Sequence, residues 1–304
     1  MNAETKRGSL EMIAAMLISG TIGWFVLMSG QPVINVVFWR CAVGALVLLA
    51  ICAALGQLRR DSLTRTTLLV AIAGGVALVV NWLLLFAAYS YASISIATAV
   101  YNTQPFMLVA LGALFLGEKL TLRKLFWLVL AFIGMTLVVL AQPKQAGGQN
   151  NYLMGILLSL GAAFFYALMA LAAKRLKGTP PHLIALIQVT VGALMLLPMV
   201  DFHARANAGQ WGMLVTVGVL HTGIMYVLLY GAIQKLPTNL TGSLSFIYPI
   251  AAMLVDRLAF GHRLVALQFA GAVLILLAAA GMNLLGERRV RLAAAPGGKQ
   301  APEQ

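Results

Sequence analysis

The aromatic residues of the third long apolar stretch are the first candidates for chemistry. Trp82, Phe86 and Tyr89 are spaced at i, i+4 and i+7, so they lie on one face of a helix. Such a face holds a flat ring by stacking or edge contacts worth about 1 kcal/mol each. The same spacing is equally typical of core packing or lipid contact, and Tyr89 falls near a predicted membrane interface, where tyrosines are common.

Two prolines lie inside apolar stretches, and each follows small polar or aromatic residues. Proline removes one backbone hydrogen bond from a helix and leaves a carbonyl without its donor. Neighbouring hydroxyl and amide groups either satisfy that carbonyl, which gives a static kink, or line a cavity. We predict hinges at Pro105 and Pro249, and candidate substrate contacts at the residues just before them: Tyr101, Asn102, Ser243, Ser245 and Phe246.

Four more side chains are candidates for substrate contact. His221 lies in the middle of an apolar stretch, where polar residues usually face the protein interior, and a hydrogen bond between helices explains it equally well. Trp24 and Tyr166 occupy similar positions in the first and sixth apolar stretches, and we expect both at a cavity. Arg40 either binds a substrate carboxylate or reaches the membrane surface, and the second interpretation is favoured.

The motifs of common enzymes are missing from the sequence. It contains no His-Glu-x-x-His zinc motif, no Gly-x-Ser-x-Gly nucleophile motif and no phosphate-binding Walker loop. The four histidines are scattered and the two cysteines are eleven residues apart, so no metal-ligand cluster is predicted. We expect no catalytic residues, no metal and no cofactor.

The composition is typical of a membrane protein. Of the 304 residues, 61% are apolar and 10% are charged, against about 25% charged residues in a soluble domain. A soluble fold of this size cannot bury so much apolar surface, whereas the hydrocarbon core of a bilayer accepts it. The net charge of +13 comes from bases in short runs between apolar stretches, which orient a membrane protein and do not indicate nucleic acid as a partner.

Ten apolar stretches are each long enough to cross a bilayer as a helix. A hydrocarbon core about 30 Å thick requires about 20 helical residues, whereas a barrel shows alternating strands of about ten residues. The sequence therefore predicts an all-α membrane protein with ten transmembrane helices. The predicted spans are Leu10–Met28, Ile34–Leu55, Leu68–Tyr89, Ile94–Phe115, Leu122–Ala141, Leu153–Ala173, Leu183–Val200, Trp211–Ile233, Leu240–Phe260 and Leu264–Leu285.

Basic residues in the loops predict the orientation of these spans. With the N-terminus in the cytoplasm, sixteen Lys and Arg residues fall on the cytoplasmic side and four fall outside. Positive charge collects on the cytoplasmic side of membrane proteins. We expect a multi-pass protein of the bacterial inner membrane with both termini in the cytoplasm.

The second half of the sequence repeats the first. A shift of 144 residues without a gap aligns Trp82 with Tyr226, Phe86 with Tyr230, Pro105 with Pro249 and Gly117 with Gly261. Because each half holds five spans, an odd number, the halves must have opposite orientations, as in transporters whose substrate site lies between inverted repeats. The predicted units are a first repeat at 1–141, a linker at 142–152, a second repeat at 153–287 and a cytoplasmic tail at 288–304.

A short motif follows the fourth span. Residues 116–120 read Leu-Gly-Glu-Lys-Leu, and residues 260–264 read Phe-Gly-His-Arg-Leu, a degenerate copy. With ten spans in two halves, the sequence resembles the drug/metabolite transporter superfamily, EamA type, over nearly its whole length. Its aromatic third, fourth and sixth spans resemble bacterial aromatic amino acid exporters of the YddG type. The resemblance implies a central cavity lined by spans 1, 3, 4, 6, 8 and 9, and amino acids as substrates.

We therefore expect a facilitative exporter of amino acids that works by alternating access, with aromatic amino acids among its substrates and a monomer in the bilayer. Export of drugs or other metabolites is an alternative, and nothing in the sequence distinguishes it from export of amino acids. A membrane enzyme or lipid-handling scaffold is a third possibility, against which the repeat and the missing motifs argue. The expected substrate-binding residues are Trp24, Trp82, Phe86, Tyr101, Asn102, Tyr166, His221, Tyr226, Ser243, Ser245 and Phe246.

Overall fold

The computed structural model describes residues 3–58, 64–91, 97, 100–118, 121–140 and 152–260, and then 266, 267, 269–271, 273–275, 277, 278 and 281. Within these residues the chain forms helices and short connections, and no strand occurs among them. The helices are α1 (Ala3–Ser29), α2 (Val33–Ala54), α3 (Arg65–Tyr91), α4 (Gln104–Leu116), α5 (Leu122–Leu140), α6 (Tyr152–Arg175), α7 (Pro181–Leu196), α8 (Ala208–Lys235), α9 (Thr238–Ser245) and α10 (Ile247–Phe260).

Six of the described helices, α1, α2, α3, α6, α7 and α8, are long and apolar enough to cross a membrane. A helix satisfies its own backbone polar groups, which hydrocarbon requires because it offers no hydrogen bonds. Shorter apolar helices lie at Gln104–Leu116 and Leu125–Gly134. The all-helical prediction is confirmed, and the count of ten spans stays a prediction, since half of the tenth, Leu264–Leu285, lies outside the described residues.

The fourth and ninth predicted spans are each interrupted before their proline. In the fourth, Asn102 and Thr103 form a turn and α4 begins at Gln104. In the ninth, a turn at Phe246 separates α9 from α10. The shift of 144 residues relates Asn102 to Phe246, so the interruptions occupy equivalent places in the two halves.

Proline chemistry explains where these helices break. Pro105 is the second residue of α4, and Pro249 is the third residue of α10. A proline has no N–H to donate to the carbonyl four residues earlier, and its ring clashes with that carbonyl. The first turn of a helix tolerates proline because its N–H groups lack helical partners there, so each new helix begins next to its proline.

Helix contacts in the two halves are reciprocal. Helix α3 packs along α6, and α8 packs along α1; α2 contacts α8, and α7 contacts α3. Under the sequence shift α1, α2 and α3 correspond to α6, α7 and α8, so each contact has its counterpart. A two-fold relation between the halves, as the inverted repeat predicts, would produce this pattern.

Two glycines let α2 approach α8 closely. A Cβ added to Gly44 would lie 2.6 Å from Thr222 Cγ2, and one added to Gly218 would lie 2.4 Å from Val43 Cβ. Both distances are too short for real carbon atoms, so only glycine fits at this crossing. Small residues serve this purpose in membrane helix pairs, and here they bring Arg40, one turn before Gly44, beside α8.

Candidate functional site

The centre of the protein holds a cluster of aromatic rings from α3 and α8. Trp82 and Tyr226, the pair related by the repeat, meet edge to face with ring centroids 5.6 Å apart and planes at 84°. Tyr226 makes a second edge contact with Tyr230 at 5.3 Å. Trp82 is 5% exposed and Tyr226 is 3% exposed. The rings touch each other in this conformation, so a substrate ring would have to separate them.

Arg40 also belongs to this cluster. Its side chain is 1% exposed, and its guanidinium carbon lies 3.6 Å from the centroid of the Trp82 ring. A cation over the face of tryptophan is attracted by the ring quadrupole. The expectation that Arg40 reaches the membrane surface is wrong, because the guanidinium is enclosed by other helices of the protein.

Helix α8 offers Arg40 two neutral acceptors. Arg40 Nε donates to Thr222 Oγ1 at 3.3 Å, and Arg40 Nη2 donates to the carbonyl oxygen of His221 at 3.4 Å. Both contacts are long for hydrogen bonds to a charged donor, which normally measure about 2.7–2.9 Å. Arg40 Nη1 has no acceptor among the residues that the structure describes.

A π-helical segment in α8, Val219–Ile224, presents these acceptors. The N–H of Met225 donates to the carbonyl of Leu220, five residues earlier. In an α-helix that N–H would serve the carbonyl of His221, which is therefore released to Arg40. Single π turns inside α-helices are often found at functional sites.

Tyr101 and Tyr166 form a second aromatic pair, with ring centroids 6.2 Å apart. Asn81 of α3 donates to the Tyr101 hydroxyl at 3.4 Å and to the carbonyl of Ala162 at 2.7 Å. Both tyrosines belong to the same buried core cluster as Trp82 and Tyr226. The structure thus brings Tyr101, Tyr166, Trp82 and Tyr226 into one buried region.

Trp24 and His221 adjoin this region through Phe25. The centroid of the Phe25 ring lies 4.8 Å from that of Trp24 and 5.0 Å from that of His221. His221 is fully buried, and its Nε2 is 2.7 Å from Thr21 Oγ1. This is the contact between helices that the sequence offered as one explanation of His221.

The predicted contacts from the ninth span differ in their neighbours, since Ser245 lies beside the Tyr166 hydroxyl and Phe246 faces α4. Phe246 packs on Phe106 of α4 with ring centroids 6.3 Å apart. Ser245 Oγ donates to the carbonyl of Thr241 at 2.8 Å. Ser243 is buried, as is Asn102 in the turn before α4. Phe86 is buried on the same helix as Trp82. The structure does not bring Phe246 to the Trp82 ring, and a role for it in binding would require movement.

Two buried amides of this region were missed in the sequence. Asn81 lies one residue before Trp82, and Gln188 of α7 accepts a hydrogen bond from the Tyr230 hydroxyl. Both are almost fully buried. The signal that could have revealed them is their position, since an amide inside an apolar span usually faces the protein interior.

Ion pairs join the helices at the predicted cytoplasmic end. Glu118, after α4, pairs with Lys174 of α6 at 2.8 Å and accepts from the Thr238 N–H at 3.1 Å. Burial raises the pKa of Glu118, but the hydrogen bonds from Lys174 and Thr238 outweigh burial and hold the pKa below its usual range. Glu11 of α1 pairs with Lys235 of α8 at 2.5 Å.

A cavity of about 350 Å³ opens beside these pairs, between the ends of α4, α6, α8 and α9. Its lining includes Glu118, Lys174, Lys177 and Lys235. The cavity and the aromatic cluster share α8, which runs from one to the other.

Comparison with known proteins identifies the family. The sequence model of the EamA-like transporter family matches residues 6–140 and 153–284. The chain belongs to this family. It is a multi-pass membrane transporter and not an enzyme, so the alternative of a membrane enzyme is wrong.

The chain is similar to several bacterial transporters. It is 32% identical over 284 residues to the uncharacterized transporter YxxF of Bacillus subtilis, covering 92% of this chain and 89% of that protein. It is 27% identical over 218 residues to a probable amino-acid metabolite efflux pump of Salmonella typhimurium, covering 66% and 71%. It is 26% identical over 192 residues to the pseudopaline exporter CntI of Pseudomonas aeruginosa, covering 62% and 64%.

A protein of known crystal structure shares the fold. The two chains superpose with a TM-score of 0.80 at 21% sequence identity, over 92% of this chain and 98% of the other. The likeness at this identity concerns the fold alone.

Proposed function

We propose that this transporter exports amino acids, aromatic ones among them, from the cytoplasm across the bacterial inner membrane. The observation that carries the proposal is the buried cluster of Trp82 and Tyr226 with Arg40 against the Trp82 face. Rings on helices of both halves supply edge and face contacts for an aromatic side chain. The relative from Salmonella typhimurium that is named as an amino-acid metabolite efflux pump supports this substrate class.

The transport mechanism that we propose is alternating access between two inverted repeats of five spans. The reciprocal helix contacts and the equivalent interruptions before Pro105 and Pro249 support a two-fold relation. Interrupted helices form the substrate site near the midplane of many transporters, and one repeat moves against the other around that site. The Trp82–Tyr226 contact closes the centre in the present conformation, and a ring enters when the two helices separate.

The direct test is counterflow in liposomes that contain the purified protein. Liposomes loaded with unlabelled phenylalanine should take up labelled phenylalanine, and tryptophan and leucine tested in the same way define the range. Empty liposomes and liposomes with a protein inactivated by heat are the controls. If no amino acid exchanges while the protein is folded and inserted, the proposed function is wrong.

Export of another metabolite is the second candidate, and the similarity to the exporter CntI favours it. The same liposomes, screened with amino acid conjugates and cationic drugs, distinguish the two. Exchange of a conjugate without exchange of any free amino acid would support this second candidate.

A further inference from the structure

Arg40 is a buried charge with no counterion among the residues that the structure describes. A guanidinium stays protonated in proteins, and buried charges are normally paired because desolvation is costly. In the part of the chain that the structure describes, the ion pairs are Arg7–Glu11, Lys174–Glu118 and Lys235–Glu11, and none includes Arg40.

The contacts that Arg40 does make are neutral and incomplete. The Trp82 ring covers one face of the guanidinium, and Thr222 and the His221 carbonyl accept from Nε and Nη2 at long distances. Nη1 finds no acceptor in the described residues. These groups hold the side chain in place but leave part of its fork of donors for another partner. A planar guanidinium fork matches a carboxylate with two parallel hydrogen bonds.

The repeat shows that the charge is specific to one half. Gly44-Ala45-Leu46 in α2 matches Gly192-Ala193-Leu194 in α7 at an offset of 148 residues, slightly different from the shift of 144 that relates α3 to α8, and this local offset pairs Arg40 with Gln188. Gln188 is fully buried and bonds to Tyr230, which follows Tyr226 by one turn. Two polar side chains thus flank the rings from equivalent helices, one neutral and one cationic. Because the other half has the neutral amide Gln188 at the matching position, helix packing alone does not require a cation there.

We infer that Arg40 binds the carboxylate of the substrate, so that the carrier selects molecules with a carboxylate next to an aromatic or apolar group. The inference rests on the proposed function insofar as it assumes that the substrate occupies the Trp82–Tyr226 cluster. The carboxylate takes the place of the missing counterion, and the ring of the substrate replaces the contact between Trp82 and Tyr226. An amine without a carboxylate meets a buried like charge and is rejected.

Ligand binding tests the inference without any transport step. The purified protein in detergent is titrated with 3-phenylpropionate, which has the carboxylate and the ring, and with phenethylamine, which has the ring and an ammonium. We expect 3-phenylpropionate to raise the melting temperature and phenethylamine to leave it unchanged. If the two compounds change the melting temperature of the wild-type protein equally, that result by itself overturns the inference.

Variants assign the preference to Arg40. Arg40→Gln copies the residue of the other half, and we expect it to bind 3-phenylpropionate at least about tenfold more weakly, as loss of a charge-assisted pair implies. Arg40→Lys keeps the charge without the fork and should fall between. Arg123→Gln, which removes an exposed charge from the first turn of α5, is the matched control and should bind as wild type does.

The outcomes separate this inference from the proposed function. If 3-phenylpropionate binds in an Arg40-dependent manner and no amino acid is exchanged in liposomes, the proposed substrates are wrong and the carboxylate site stands. The inference is wrong if phenylalanine is exchanged and Arg40→Gln keeps its affinity for both phenylalanine and 3-phenylpropionate. In that case Arg40 only stabilises the packing of α2 against α3. Should Arg40→Gln fail to fold, the comparison of carboxylate with amine on the wild-type protein and on Arg40→Lys decides.

Discussion

The guanidinium carbon of Arg40 lies 3.6 Å from the centre of the Trp82 ring, in the interior of the protein. The contact joins α2 to α3, and the same ring meets Tyr226 of α8 at its edge. One tryptophan therefore connects the buried cation with the aromatic pair that spans the two halves. Changes at Trp82 should affect binding and stability together, and the choice of substitution decides whether the two effects can be separated.

The first prediction concerns this tryptophan. Trp82→Phe keeps an aromatic face for Arg40 but a weaker one, since tryptophan is the best cation–π partner. We expect several-fold weaker phenylalanine transport with a melting temperature near that of the wild type. Trp82→Ala should cost about 3–5 kcal/mol of stability as well, because it leaves a cavity in the core. Liposome counterflow and thermal unfolding measure the two effects.

Trp211 provides the control for that experiment. It is partly exposed and packs on Trp39 near the start of α8, away from the Trp82 ring. Trp211→Phe should transport like the wild type. If Trp82→Phe also transports like the wild type, the indole does not contact the substrate.

The second prediction concerns the interruptions before the prolines. Alanine at Pro105 or Pro249 restores the backbone N–H and allows the helix to continue through the turn. If the two half-helices move against each other, we expect the variants to bind substrate normally and to turn over several-fold more slowly. Initial rates of counterflow, compared with ligand-induced thermal shifts, separate turnover from binding. Unchanged rates in both variants would mean that the interruptions are static kinks.

The sequence allowed the helices to be predicted and showed which residues of the two halves correspond, for clear physical reasons. Long apolar runs can only be helices in hydrocarbon, and the repeat aligned Trp82 with Tyr226, which do meet. The sequence did not reveal that Arg40 is buried. A basic residue near the end of a span can lie either at the membrane surface or in the interior. The acceptors that hold Arg40 in the interior lie on the π-helical segment of α8, and the sequence did not show that α8 departs from α-helix there.

The position of Phe246 shows another limit of the sequence. It lies three residues before Pro249 in a predicted span, and that position predicted a cavity contact, but the chain turns at Phe246 itself. The turn directs the ring toward Phe106 of α4. Where a helix breaks relative to its proline decides which way neighbouring side chains point, and the proline alone leaves several positions open.

The third prediction concerns Glu118 at the cytoplasmic end. The pKa of Glu118 in the folded protein lies below its usual value of about 4.3, so the ionised carboxylate favours the folded state. This contribution is complete above about pH 4.3 and is lost as the pH falls through the lowered pKa. Glu118→Gln should lower the free energy of unfolding at pH 7 by about 1–2 kcal/mol. The variant should also lose less stability than the wild type as the pH falls below about 5, as measured by thermal unfolding.

Glu4→Gln is the matched control, because Glu4 is an exposed carboxylate in the first turn of α1. It should change the stability at pH 7 less than Glu118→Gln does. If Glu118→Gln unfolds with the same pH dependence as the wild type, the pair with Lys174 contributes nothing to acid stability.

The fourth prediction concerns topology. The excess of bases on one side of the predicted spans predicts that both termini lie in the cytoplasm. A reporter that is active only in the periplasm should be silent when fused after Glu287 and active when inserted in the linker at 142–152. Activity after Glu287 would contradict the model of ten spans.

The fifth prediction is that transport is facilitative, with no coupled proton. Proton-coupled carriers usually hold an acidic residue or a histidine within the membrane at the site that changes state. Among the described residues, Glu11 and Glu118 are engaged in ion pairs at the predicted cytoplasmic end, and Asp201 is exposed in the connection between α7 and α8. His221 adjoins the aromatic cluster through Phe25, and its Nε2 contacts Thr21 Oγ1 at 2.7 Å.

A zwitterionic amino acid that moves down its own gradient needs no proton, and the fixed positive charge of Arg40 balances its carboxylate during binding. We therefore expect a pH gradient imposed on loaded liposomes to leave the final level of neutral amino acid at equilibrium. His221→Gln keeps a hydrogen-bonding side chain and should transport with the same pH independence. Accumulation above equilibrium that is driven by the pH step alone, and that His221→Gln abolishes, would show instead that His221 couples proton movement to transport.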